Sequence, residues 1–430
     1  MIGEELLDVV APLVDRRRAL PAEVEARARW LVLDSLGCAI AGGRSPNVRS
    51  WLARHGLTDD PYGTADDGSG AADAGPAMAL AMGACWDEAC EGHAVAHGRP
   101  GIAALAAIWP SVLEMTLAEL LRAVVVGYEV GARMGAALRI SPGMHVDANW
   151  PSLGAAAAAA CALGLDPPGV VGAVGIAACQ LPVSLYRPVE TGDTARNTYL
   201  GHAAVLGRMA AQSSAVGITA PHDAVESYAR VAYGRTSVAV AADARSVGIL
   251  SGYFKEYAAV RHVHYAARAA AELRTEVPPE QIRSVEVWTY PEAMTYCGIR
   301  DPRTPLQAQF SLSFGVAAML RWGRLDPMVY RTPQFQDPLV RSLERNVVIH
   351  QESDGTDHRT ARVQLVRNDG RTTETTASAV RGDASMPWSQ ELLTDKFLAY
   401  CQGTLSPQRA GALAEHLLRA PLSDKVFPPG

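Results

Sequence analysis

Glycine returns at every fourth position in the run LLRAVVVGYEVGARMGAAL, as Gly127, Gly131 and Gly135. Residues four apart share one face of a helix, so these three leave a smooth groove into which a second helix can pack closely. Glu129 and Arg133 lie between them, which favours a groove in a helical bundle over a pairing face inside a membrane. Thr116 and Glu119, three residues apart, form the capping pattern that starts this helix. Pro21 opens another that continues through RARWLVLDSLGCAIA and stops at Gly42-Gly43. The alanine run Ala155 to Ala160 repeats the theme of small side chains, and Asp166-Pro167-Pro168 caps and starts the helix GVVGAVGIAACQ. The first 250 residues therefore read as one helix after another, closely packed. Residues 64–78, rich in Gly, Ala and Asp, read as a loop.

The pattern changes after about residue 250. Arg283 to Tyr290 alternates and is β-branched, Asn346 to Gln351 is a second candidate strand, and Arg362 to Val366 and Thr372 to Val380 flank the turn Asn368-Asp369-Gly370. A helix is expected around Gln307 to Trp322, and Ser389 and Ser406-Pro407 start two final helices. The expected fold is mainly α with an α+β insert. A large all-helical domain, residues 1–254 completed by 386–430, carries a smaller α/β lid domain, residues 255–385. At 430 residues the chain is longer than one core usually supports.

A net charge of −6 argues against a nucleic-acid partner, which would want a basic face. Seven cysteines scattered from Cys38 to Cys401 do not read as a disulfide framework, so a reducing cytoplasm is expected. The N-terminus opens with acidic residues and lacks the pattern of a signal peptide. The longest uncharged apolar run, Leu153 to Leu165, is too short to span a membrane.

Chemistry concentrates between Cys85 and Pro100, CWDEACEGHAVAHGRP, which places Asp87, Glu88, Glu91, His93 and His97 within eleven residues. Imidazoles titrate near neutral pH and carboxylates orient them, so such a cluster serves proton transfer or metal binding. Cys85, Asp87, Cys90, His93 and His97 have the residue types of a zinc site, but no second short-spaced pair follows, and no metal is expected. No Gly-x-Ser-x-Gly elbow and no glycine-rich phosphate loop is present. What remains is acid/base work without a cofactor. Further polar candidates stand in apolar or glycine-rich settings: His145, Arg196, Lys255, His262 and His264.

In order and spacing from about residue 20 to residue 400, the segments LVLDSLGCAIAGG, the loop Asp87 to His97, GMHVDANWPSLGAAAAAACALGLD, TARNTYLGHAAVLGRMAA, SGYFKEYAAVRHVHYAA, TPLQAQFSLSFGVAAML and MPWSQELLTDKF resemble the MmgE/PrpD family. That family includes 2-methylcitrate dehydratase, cis-aconitate decarboxylase and iminodisuccinate epimerase. The resemblance implies a helical domain with an α/β lid, a homodimer, and cofactor-free chemistry next to a carboxylate; the small-residue faces and the many apolar helices also suggest helix contacts beyond one subunit. It implies Asp87 and His97 as a loop acid/base pair, His145 as a second active-site imidazole and Lys255 as the site lysine. Arg196, His93 and His264 are then the expected substrate-binding residues. The chain departs from the family pattern at Ala89-Cys90 (usually Asp-Asp), at Arg196 (usually Lys) and at Phe314 (usually Tyr), which points away from 2-methylcitrate. The expected activity is a lyase that abstracts a proton beside a carboxylate or a similar anionic group and expels water or another β-leaving group from a small anionic substrate. Decarboxylation and epimerisation use the same parts, and a catalytically inactive binding subunit is the alternative of another class.

Overall fold

The computed structural model describes residues 2–57, 74–235, 238, 248–352, 359–383 and 385–427. Its helical body is built around Pro151–Ala162, which packs against Leu117–Ala137, Pro100–Ile108, Pro167–Ala178 and Tyr199–Ala215. The glycine groove explains how they come so close. A methyl group on Gly127 would lie 2.6 Å from Ala158 Cβ and 2.7 Å from Ala104 Cβ, and one on Gly154 would lie 2.6 Å from the Gly127 carbonyl oxygen. All of these contacts are within the chain, so the small-residue face is not left over for a second copy.

The start signals act as their chemistry predicts. The Thr116 hydroxyl accepts from the Glu119 N–H and Glu119 accepts from the Thr116 N–H, while Asp166, Ser389 and Ser406 cap their helices. Helix Ala22–Gly43 follows Pro21 and ends at the expected glycine pair. Residues 64–73 of the expected loop lie outside the described residues. Its last residues belong instead to the buried helix Ala74–Trp86, which packs on Ala22–Gly43.

The second part of the chain forms a mixed sheet. Two short strands precede it, β1 (Gly92–His93) and β2 (Gly252–Tyr253), which pair with each other. The sheet itself consists of β3 (Ile282–Thr289), β4 (Val347–Gln351), β5 (Ala361–Arg367) and β6 (Thr372–Ala377) in the order β4-β3-β5-β6. β3 and β4 run parallel, and the other pairs are antiparallel. The Asn368-Asp369-Gly370 turn joins β5 to β6 with Gly370 at φ +86°. Helices His264–Leu273, Leu312–Trp322 and Pro338–Arg345 pack against these strands. The single helix expected over 307–322 is two, Pro305–Gln309 and Leu312–Trp322, because Ser311 leaves helical geometry and caps the second through the Phe314 N–H. The chain then returns to the body, where Gln390–Cys401 and Pro407–Arg419 pack on Ala22–Gly43. Among the described residues no helix is long and apolar enough to cross a membrane.

Candidate active site

Helix Ala74–Trp86 ends where the acidic loop begins, and this loop has two non-glycine residues in left-handed geometry, Glu88 (φ 55°) and His97 (φ 56°). Such conformations are disfavoured for residues with a Cβ and persist where the surroundings hold them. Here β1 ties the loop to β2, which delivers Lys255 two residues later. Between the loop, residues 139–150 and the sheet domain lies a cavity of about 330 Å³.

At its inner end Glu88 is the hub. Its Oε1 accepts from Lys255 Nζ at 2.6 Å, and its Oε2 accepts from Arg99 at 2.8 Å and from Arg196. Lys255 also donates to the Glu88 carbonyl at 3.0 Å. Asp147, fully buried, accepts from Arg99 and lies 3.6 Å from Arg196. Burial opposes ionisation of Glu88, but Arg196, Arg99 and Lys255 outweigh it and hold its carboxyl well below the usual range. Burial lowers the Lys255 pKa, against the pull of Glu88. Behind this network Lys396 Nζ, from the helix Gln390–Cys401, donates to Asp34 (2.6 Å), the Ala89 carbonyl (2.8 Å) and the Lys255 carbonyl (2.9 Å), fixing the loop and the lysine together.

Glu91 stands in contrast. Its Oε1 accepts from the Gly101 N–H at 2.8 Å and its Oε2 accepts from Tyr128 Oη at 3.3 Å, with no cation bonded to it among the described residues. Burial pushes its pKa up to about 8, which makes it a protonated acid on the cavity wall at neutral pH.

Three histidines line the cavity as neutral rings. His145 Nδ1 accepts from the Asp147 N–H and His93 Nδ1 accepts from the Ala96 N–H, both at 3.1 Å, so neither can be doubly protonated. Burial brings both down to about 4. His262 bonds Tyr290 at 2.8 Å and burial lowers it to about 3. A fourth, His97, is partly open to solvent at the mouth, where its Nδ1 faces Glu292 Oε1 at 3.6 Å. Glu292 comes from the sheet domain and is brought down to about 2 by His97 together with His262 and Arg359.

A cavity walled by both parts of the chain, with buried cations, neutral imidazoles and a protonated carboxyl, is equipped to move protons beside an anion. The N-terminal domain of the MmgE/PrpD family matches residues 15–235, and its C-terminal domain matches residues 257–419. The chain belongs to the MmgE/PrpD family. The cis-aconitate decarboxylase of Aspergillus terreus is 28% identical over 204 residues, 42% of this chain and 41% of that protein. A cis-aconitate decarboxylase-like protein of Aspergillus oryzae is 30% identical over 178 residues, 37% of this chain and 36% of that one. This chain thus spans about two-fifths of the length of the curated relatives it matches.

The two MmgE/PrpD domains meet at the cavity, with Glu88, His97, His145 and Arg196 from the first, Glu292 from the second, and Lys255 just before the second begins. Of the residues expected from sequence, His93, His97, His145, Arg196 and Lys255 line it. Two do not. Asp87 is buried but its Oδ2 accepts from Arg331 at 3.0 Å and its Oδ1 lies 2.8 Å from the same nitrogen, so it is not the partner of His97. Asp87 points toward Arg331, whereas His97 lines the cavity. His264 is buried with Nε2 on the Ala259 carbonyl at 3.1 Å and its ring against Tyr257, which is a packing role. Phe314 also lies off the cavity, stacked on Tyr330. The tyrosine replaced there therefore says nothing about cavity phenols, which this chain supplies as Tyr186, Tyr253 and Tyr296.

Sequence reasoning named Glu88 in the acidic cluster without giving it a role, and it missed Arg99, Asp147 and Glu292. Asp147 lies two residues from His145, and Arg99 stands at the end of the same cluster. Glu292 lies 195 residues beyond His97, and nothing in the sequence joins them. Among the described residues no three His, Cys, Asp or Glu side chains are grouped to hold a metal ion.

Proposed function

We propose that this chain is a lyase of the dehydratase/decarboxylase kind, acting on a small carboxylic acid with its own side chains as the acid/base machinery. The observation that carries this is the pairing of His97 with Glu292 across the domain junction, at the mouth of a cavity whose inner end holds Arg99, Arg196 and Lys255. With Nδ1 turned to Glu292, His97 keeps Nε2 as the base that takes the proton beside the substrate carboxylate. A carbon acid of this kind is weak, so the developing enolate-like charge must meet fixed positive charge, which Lys255 and Arg196 supply without reorganisation. Glu91, protonated and without a cation bonded to it, is the donor for a leaving group. The Nε2–H of His145, whose Nδ1 is occupied by the Asp147 N–H, orients an acceptor oxygen.

Loss of carbon dioxide from an unsaturated acid is the second reading. It is favoured by the relatives named cis-aconitate decarboxylase and uses the same cations, with the proton delivered rather than removed. The purified protein incubated with a panel of hydroxy and unsaturated acids, followed by mass spectrometry, tests both. Loss of water or of carbon dioxide from a panel member is expected. An unchanged panel, with the acids shown to bind, would mark the chain as a binding subunit.

A further inference from the structure

Nearly every ionisable group around the cavity has a partner, so its charge can be counted. Building on the functional reading above, we propose that the substrate class is a dicarboxylate, one carboxylate held at the inner end by Arg196 and Lys255 and the other at the mouth by Arg139. At the inner end three cations, Arg99, Arg196 and Lys255, face two carboxylates, Glu88 and Asp147, which leaves one positive charge. Donors are left over as well. Lys255 uses two of its three N–H bonds on Glu88, and the buried Nε of Arg196 has no partner among the described residues.

Three of the four imidazoles add nothing to the count, because Nδ1 of His93 and of His145 accepts a backbone N–H and His262 is buried against Tyr290, and His97, the base of the functional reading, enters it neutral. Nor does Glu91 subtract from it while it keeps its proton. Near the mouth Arg359 is paired with Glu292 at 3.1 Å and Arg261 with Asp383, and each pair is neutral. Arg139 is different. It is exposed, lines both the cavity and the wider cleft outside it, and has no hydrogen-bond or ion-pair partner among the described residues.

Two positive charges are thus unspent, one deep and one at the rim. A third carboxylate would be enclosed without a cation, which is costly. A monocarboxylate would leave Arg139 unused.

Titration calorimetry at fixed ionic strength with three saturated acids that cannot react, butanoate, pentanedioate and propane-1,2,3-tricarboxylate, tests the count. Pentanedioate should bind about fivefold or more tighter than either of the others. Arg139→Gln, a change at an exposed position, should remove that advantage while leaving butanoate within about twofold of its original affinity. Glu88→Gln, which adds one net positive charge, should move the preference toward the tricarboxylate. Wild-type protein that prefers the tricarboxylate or binds butanoate equally well overturns the count, as does an Arg139→Gln variant that keeps the dicarboxylate advantage. In those cases the functional reading stands. If none of the three acids binds, the functional reading itself falls.

Discussion

Glu88 and Glu91 stand three residues apart in the same buried loop, yet their environments drive them in opposite directions. Glu88 has three cations and stays ionised, whereas Glu91 has one N–H, a phenol and no bonded cation, and burial raises it to about 8. The raised value has a thermodynamic consequence. Above the ordinary carboxyl value of 4.5 the unfolded chain releases a proton that the folded chain keeps, so Glu91 lowers stability progressively as pH rises toward about 8. Glu91→Gln should therefore flatten the dependence of Tm on pH between about pH 5 and pH 8 relative to wild type, as read by differential scanning calorimetry. A variant whose Tm falls as steeply as the wild type would show that Glu91 is already ionised in the folded protein. The sequence exposed this cluster as a set of residue types but not its geometry. The resemblance implies Asp87 as the partner of His97, and only the folded chain shows its carboxylate spent on Arg331.

The elements were more legible than the contacts between them. Caps at Thr116, Asp166, Ser389 and Ser406 act locally, so four residues of sequence contain the whole physics of each helix start. The Asn368-Asp369-Gly370 turn is local in the same sense, and β5 and β6 follow from it. The break at Ser311 was hidden because apolar periodicity runs through it, and the two-residue strands β1 and β2 were hidden because they exist only in each other's presence. The glycine stripe is a packing groove filled by Ala104, Gly154 and Ala158, and it yields a sharp expectation. Gly127→Ala overpacks against Ala158, Ala104 and Gly154 and should cost about 1–3 kcal/mol or more in urea unfolding. Gly43→Ala, at a helical position with nothing within 4 Å, should be neutral or slightly stabilising. Equal effects at the two positions would contradict the close approach.

At the scale of the whole molecule, the site exists only where the helical body and the sheet domain meet. Lys396 reaches back from the C-terminal helices to hold the loop carbonyl of Ala89 and that of Lys255, so the return of the chain to the body is part of the site's construction. The small-residue faces are spent inside the chain, so a second copy has to dock elsewhere. We propose the homodimer on the family resemblance alone. Light scattering should give about 91 kDa, twice the 45.6 kDa of the chain, and 46 kDa across a wide concentration range would remove the proposal. The central claim is that His97, aligned by Glu292 from the other domain, exchanges a proton beside a bound carboxylate. Its most direct measurement is deuterium incorporation from heavy water into an acid that turns over or binds, followed by proton NMR for wild type, His97→Gln and Glu292→Gln. Wild type should place deuterium at the carbon next to the carboxylate, and both variants should lower the rate, His97→Gln by about 10²-fold or more. Exchange at the wild-type rate in a folded His97→Gln protein would contradict the account.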